Sequence, residues 1–250
     1  MTLAGGYARP VATVLLLRHG RTVSNADGAL AGRAAVELDD VGVAQSRAVG
    51  ERLAGLPLGT VISSPLRRCL QTLELAWPQT PPAVEAGLVE CGYGDWEGQS
   101  LKKLAKDPLW RVVQLHPAAA TFPGADGESM AAMSARAVAA VRAWDQRVTE
   151  EHGQEALWLA CSHGDVIKAI VADALGLHLD MFQRIVVDPA SVTVVRYTPA
   201  RPFVVRLNDT AAPLTALVPP KRTRRRRPGT ADSDAVVGGG SGSATAPGAR

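Results

Sequence analysis

The chain has 250 residues, 46% of them hydrophobic, which is enough for one large domain with a well-buried core. Its net charge of +3 comes from one stretch: from Pro219 onward seven basic residues face two acidic ones, a net of +5, which leaves −2 for the remainder. A slightly acidic body excludes a general nucleic-acid-binding surface, and the apolar run Val11–Leu17 is far too short to span a membrane.

Val11–Leu17 is rich in leucine and valine without alternation, as expected of a strand buried on both faces of an α/β sheet. It ends at Arg18-His19-Gly20. Asp39 or Asp40 can cap a helix running to about Ala54, with Ala44, Ala48 and Leu53 on its inner side. Thr60–Ser63 reads as a short strand, and Pro65 suits the first turn of a helix reaching about Trp77. Ala83–Val89 is a third strand candidate, ending directly at Glu90. A loop-rich stretch with short helices follows, from Gly92 to about Gly127. Ser129 can cap a long helix to about Glu150, with Met130, Met133, Val138, Val141, Trp144 and Val148 near one face.

Ala156–Cys161 is a strand followed by Ser162-His163-Gly164 and a helix to about Leu175. Val192–Tyr197 and Phe203–Leu207 read as a closing hairpin with Pro199 in its turn. Strands alternating with helices imply layered α/β architecture. The domain is expected to occupy residues 1–210. The tail, 211–250, is basic at Lys221–Arg227 and then Gly/Ser-rich, and is expected to be disordered because it offers little apolar area to offset chain entropy.

Three cysteines, Cys69, Cys91 and Cys161, lie far apart without metal or pairing spacing, which suits a reducing, cytoplasmic setting. No basic segment followed by an apolar stretch and cleavage site occurs near Met1, so no signal peptide is expected.

Ligand sites of α/β sheets form at the carboxyl ends of strands, and three predicted strand ends here carry residues suited to phosphate. Arg18 offers a fork of charge-assisted donors, Gly20 permits close backbone approach, and Asn25 can add a neutral donor. A neutral imidazole, His19, is a good nucleophile near pH 7. Arg67 and Arg68 follow the second strand, and Glu90, Asp95 and Glu97 are acids after the third. His163 follows another strand and precedes a helix whose free amides favour an anion.

Together these blocks resemble the signature of the histidine phosphatase (phosphoglycerate mutase-like) superfamily. The carriers are Leu17-Arg18-His19-Gly20-Arg21-Thr22-Val23-Ser24-Asn25, Ser63-Ser64-Pro65-Leu66-Arg67-Arg68 through Thr72, Glu90-Cys91-Gly92-Tyr93-Gly94, and Ser162-His163-Gly164. The resemblance implies a three-layer α/β/α fold with a mostly parallel central sheet. It implies His19 as the nucleophile that becomes a phosphohistidine, Glu90 as proton donor, and Arg18, Asn25, Arg68, His163 and Gly164 as phosphate-binding groups. Aligned with the family, Arg68 and not Arg67 enters the pocket. A small-molecule phosphate ester is the implied substrate, with no cofactor and no metal, since no carboxylate cluster or Cys/His grouping looks like a metal site. No nucleic acid or membrane partner is expected, the basic run 221–227 being the one feature in favour of such a contact. Relatives often dimerise, so a homodimer is an open expectation.

The alternative within the family is a cofactor-dependent phosphoglycerate mutase. Such mutases carry a long insertion with an Arg-Arg pair between the glutamate and the second histidine. Here 72 residues separate Glu90 from His163, without such a pair. The stretch Phe122–Ser129 instead resembles the Pro-Gly-Gly-Glu-Ser element of the phosphatases, with Ala125 and Asp126 inserted. A catalytically idle binding domain is the reading from another class, and the presence of every key residue argues against it. Substrate choice falls to the loops Ala26–Val36 and Gly92–Gly127, with Trp96, Trp110, Arg111 and Phe122 as candidates to line the pocket or simply to pack, and Arg21 and Arg33 as candidate contacts to a second anionic group.

Overall fold

A computed structural model describes residues 12–153, 155–213, 215 and 237–240. Six strands form one sheet: β1 (Thr13–Arg18), β2 (Leu58–Ser63), β3 (Ala83–Val84), β4 (Leu157–Ser162), β5 (Val192–Arg196) and β6 (Phe203–Asp209). Their order is β3-β2-β4-β1-β5-β6. The first four in that order run parallel, and β5 is antiparallel to both neighbours.

The unbroken apolar runs of β1 and β4 make sense in this arrangement, because both faces of each strand are covered. Val14 and Leu16 of β1, with Trp158 and Ala160 of β4, enter the larger of two apolar clusters. Leu15, Leu17, Leu159 and Cys161 point the other way into the second. The second cluster is roofed by helices α2 (Asp40–Leu53) and α3 (Arg67–Ala76), through Val49, Leu53, Cys69, Leu73 and Ala76. The larger one lies beneath α6 (Met130–His152) and α7 (Gly164–Ala174), which contribute Met133, Ala137, Val141, Val166 and Ile170. This is the three-layer α/β/α architecture expected from the sequence. Three short helices complete it: α1 (Val23–Asp27), α4 (Leu101–Leu104) and α5 (Pro108–Leu115).

Local chemistry sets the element boundaries. Asp39 caps α2 by accepting the Gly42 amide at 2.7 Å, and Ser129 caps α6 by accepting that of Ala132 at 3.0 Å. Two expectations fail at boundaries. Helix α3 begins at Arg67, not Pro65, because Leu66 is extended (φ −71°, ψ 135°) and serves as the N-cap. The third strand is only Ala83–Val84, an exposed edge. Beyond it Glu85 accepts the Gly87 amide at 2.7 Å and closes a single 3₁₀ turn, Ala86–Leu88, so Glu90 follows a turn instead of ending a strand.

The tail expected to be disordered, 211–250, lies mostly outside the described residues. Of its described residues, 211–213, 215 and 237–240, the last four are docked against the domain, with Val237 only 1% exposed. Among the described residues no helix is long and apolar enough to cross a membrane.

One contact positions the loop after β1. Gly42, in the first turn of α2, packs on the Arg21 backbone so closely that a Cβ there would fall on the Arg21 carbonyl oxygen. Helix propensity alone favours Gly→Ala by about 1 kcal/mol. Steric overlap with backbone, which cannot rotate away, reverses the sign. Gly42→Ala should therefore destabilise the protein by about 1–3 kcal/mol, measured as a lowered urea midpoint at unchanged m-value.

Candidate active site

The parallel pairing of β1 with β4 sets Arg18 opposite Ser162, so the residues that follow leave the sheet side by side. The His19 amide donates to the Ser162 carbonyl at 3.0 Å, and the two imidazole rings lie 5.2 Å apart between centroids. His19 Nδ1 is 2.7 Å from the Gly20 carbonyl, which can only accept, so Nδ1 carries the proton. That leaves the Nε2 lone pair facing outward, where Arg68 Nε donates to it at 3.2 Å. Burial first, then the charges of Arg68 and Arg18, hold the His19 pKa well below its ordinary value, so the ring is neutral. His163 is depressed in the same direction, again by burial and then by Arg68, and its Nε2 meets Ser64 Oγ at 2.7 Å.

Arg68 occupies the first turn of α3. It reaches across to the carbonyls of Gly32 (2.7 Å) and Ala34 (3.2 Å) while touching His19. One turn further on, Thr72 Oγ1 accepts the Gly20 amide at 3.0 Å, tying the same helix to the His19 loop. Arg67 points outward and pairs with Glu74 and Glu37. Arg18 is wholly buried, and its Nη1 donates to the Val187 carbonyl at 2.7 Å. Its Nη2 donates to the carbonyls of Gly238 (3.1 Å) and Gly240 (2.8 Å). Burial lowers the Arg18 pKa to about 10, leaving it charged at neutral pH.

Glu90 is 4% exposed and accepts the Cys91 amide at 2.9 Å. Burial, with the negative charge of Asp165 second, raises its pKa to about 7. The backbone that carries it is clasped by Arg136 of α6, which donates to the carbonyls of Gly87 (2.9 Å), Val89 (2.7 Å) and Glu90 (3.1 Å). Glu128 holds that arginine through both carboxylate oxygens, at 2.7 and 2.9 Å, and pairs also with Arg33 at 2.9 Å. Of the competing acids, Asp95 is exposed, and Glu97 accepts the Arg33 and Tyr93 amides.

His19, Asn25, Arg68, Glu90 and Tyr93 border one pocket, together with Val237, Gly238 and Gly240. Arg18 and His163 are fully buried and do not border it. Asn25 Oδ1 accepts from both the amide and hydroxyl of Thr22 in a capping box, so its NH₂ is what it can offer a ligand. Gly164 opens α7 directly after His163. Arg21 and Arg33, considered as contacts to a second anion, are engaged with Asp39 and Glu128. Trp96, Trp110 and Phe122 pack against one another in the core, and Arg111 is exposed. Ala125 and Asp126, the inserted residues, are exposed in the loop before Glu128.

The sequence reading assigned no role to Ser64, Tyr93, Glu128, Arg136 or Asp165. Tyr93 donates to Asp165 Oδ2 at 2.8 Å, and Lys168 pairs with Oδ1 at 3.5 Å, all three being buried. The acid directly after His163-Gly164 was a signal that could have drawn attention to Asp165. Among the described residues no group of three His, Cys, Asp or Glu is placed to hold a metal ion.

Comparison with known proteins identifies the family. An acid phosphatase of Mycobacterium tuberculosis is 34% identical over 184 residues, covering 72% of this chain and 84% of the relative. A glucosyl-3-phosphoglycerate phosphatase of Mycolicibacterium vanbaalenii is 30% identical over 175 residues, covering 68% and 77%. A mycobacterial glucosyl-3-phosphoglycerate phosphatase solved with VO3 superposes with a TM-score of 0.69 at 25% identity, covering 81% of this chain and all of that one. The profile of the histidine phosphatase superfamily, branch 1, matches residues 14–210, and the chain belongs to that superfamily.

Proposed function

We propose that this protein hydrolyses phosphomonoesters through a phosphohistidine on His19. The observation that carries the reading is the state of that ring: neutral, with Nδ1 bound to Gly20 and the Nε2 lone pair turned to Arg68. In the proposed step Nε2 attacks phosphorus in line and the ester P–O bond breaks. The Glu90 carboxyl gives its proton to the departing oxygen. Arg68 turns from Nε2 to the phosphoryl oxygens, which Arg18, His163, the Asn25 amide and the Gly164 amide also receive. Water then attacks phosphorus, the P–N bond breaks, and the Glu90 carboxylate takes the water's proton. Positive charge fixed in a desolvated pocket stabilises the charge on the transferring group. The phosphatase names of the relatives support transfer to water over return to a second substrate oxygen, as in a mutase.

Purified protein should turn over a generic aryl phosphate in the presence of EDTA, and His19→Ala should reduce the rate to background. Equal activity in the variant would remove His19 from the mechanism.

Glu90 must be protonated to act as acid. With its pKa raised to about 7, kcat/KM should be level below that pH and fall above it. His19, depressed well below 6.5, should impose no acid limb near neutrality. Glu90→Gln should lower kcat by about 10²–10⁴-fold and abolish the alkaline limb. The ratio of the two pH profiles isolates Glu90, because titration of the substrate phosphate near pH 6 cancels.

Arg136 acts through Glu90 as a positioning residue, so Arg136→Lys should reduce kcat by about 10- to 100-fold with little change in KM. A steady-state split between the two constants checks this. A rise in KM alone would place Arg136 on the binding side instead.

A further inference from the structure

The segment Val237–Gly240 lies where a substrate has to go. It borders the pocket beside His19, Arg68 and Glu90. Val237 is buried in the main apolar cluster. The Gly238 amide donates to Asp165 Oδ2 at 3.1 Å, and the carbonyls of Gly238 and Gly240 both sit on Arg18 Nη2, at 3.1 and 2.8 Å. Two oxygens on one guanidinium nitrogen are what two phosphoryl oxygens would otherwise supply. Arg18 Nη2 cannot serve both at once.

The glycines are what permits this approach. Gly238 has φ +73°, and a Cβ there would lie 3.0 Å from Leu30 Cδ1. Any other residue would be strained in its backbone and crowded against Leu30.

We infer that Val237–Gly240 is an intramolecular ligand of the phosphate pocket, a peptide stand-in for substrate that must leave before a phosphate ester can engage Arg18. The inference rests on the phosphohydrolase reading for the identity of the displaced ligand. The segment belongs to the same chain, so its binding is intramolecular and independent of protein concentration. Its carbonyls are neutral acceptors, so a phosphate dianion displaces it by forming the stronger, charge-assisted bonds. Substrate then binds only the open fraction of molecules, which raises KM and leaves the rate of the bound complex untouched.

The test uses the full-length chain with Val237→Asp and, separately, Gly238→Val. The first makes burial of the anchor unfavourable, and the second forces a β-branched residue into positive φ. Both should lower KM for an aryl phosphate, and the inhibition constant of inorganic phosphate, by the same factor of roughly 3 to 30 at unchanged kcat. Unchanged constants in both variants would show that the segment does not compete, and a raised KM would make it a wall of the substrate pocket. Either result overturns the inference. Should no variant and no wild type turn over the ester, the phosphohydrolase reading fails by itself. Calorimetric titration with inorganic phosphate then still decides the inference: tighter binding to both variants supports it, and equal or weaker binding overturns it.

Discussion

Basic side chains crowded where β1 and β4 end beneath the first turn of α3 dominate this structure. Arg18, Arg68, His19 and His163 lie within one buried region, where unscreened like charges would repel strongly. The fold resolves this by letting only two of the four carry charge. Both histidines are driven neutral by burial and by the arginines. Arg68 is bound to the carbonyls of Gly32 and Ala34, and Arg18 to that of Val187. The remaining balance comes from Asp165, whose position behind the pocket also lifts the Glu90 pKa. On the proposed mechanism, this one charge arrangement supplies a neutral nucleophile, an acid with its pKa raised to about 7, and two fixed cations. Those are the properties that in-line phosphoryl transfer requires.

The sheet topology makes that crowding possible. Because β4 inserts between β1 and β2, three parallel strands end at a common edge, bringing Arg18-His19, Ser63-Ser64 and Ser162-His163 together from widely separated parts of the chain. Helix α3 then passes over the junction. It contributes Arg68 to the pocket and Thr72 to the Gly20 amide, while Gly42 lets α2 close down on the Arg21 backbone.

Features governed by local chemistry were legible in the sequence. The apolar runs of β1 and β4, the Asp39 and Ser129 caps and the glycine after each histidine are decided within a few residues. Arg-His-Gly and Ser-His-Gly were readable as strand ends because each closes such a run. The Arg136–Glu128–Arg33 clasp was not legible. Its arginine reaches carbonyls 46 to 49 residues away and its glutamate an arginine 95 away, and charged side chains on a helix carry no mark of such partners. The third strand was overestimated for a related reason. Ala83–Val89 has strand composition, but Glu85 satisfies the Gly87 amide locally and that bond outcompetes an edge ladder. The tail was legible only as composition: low apolar content argues against a core of its own, and its described residues 237–240 add one valine to an apolar cluster already built and two glycine carbonyls to Arg18.

The chemistry of that docked segment fits the electrostatics of the site. Arg18 is buried away from water and needs acceptors. A carboxylate would satisfy it, but charge-assisted bonds are roughly twice as strong as neutral ones, and a tethered anion would hold the pocket shut against a substrate of the same sign. Two glycine carbonyls meet the guanidinium with dipoles only. On the inference above they satisfy the guanidinium and yield to a dianion, because charge-assisted bonds to phosphate are stronger than bonds to neutral carbonyls. Glycine at 238 suits that role: its φ of +73° and the nearby Leu30 leave no comfortable place for a side chain, so only backbone dipoles meet Arg18.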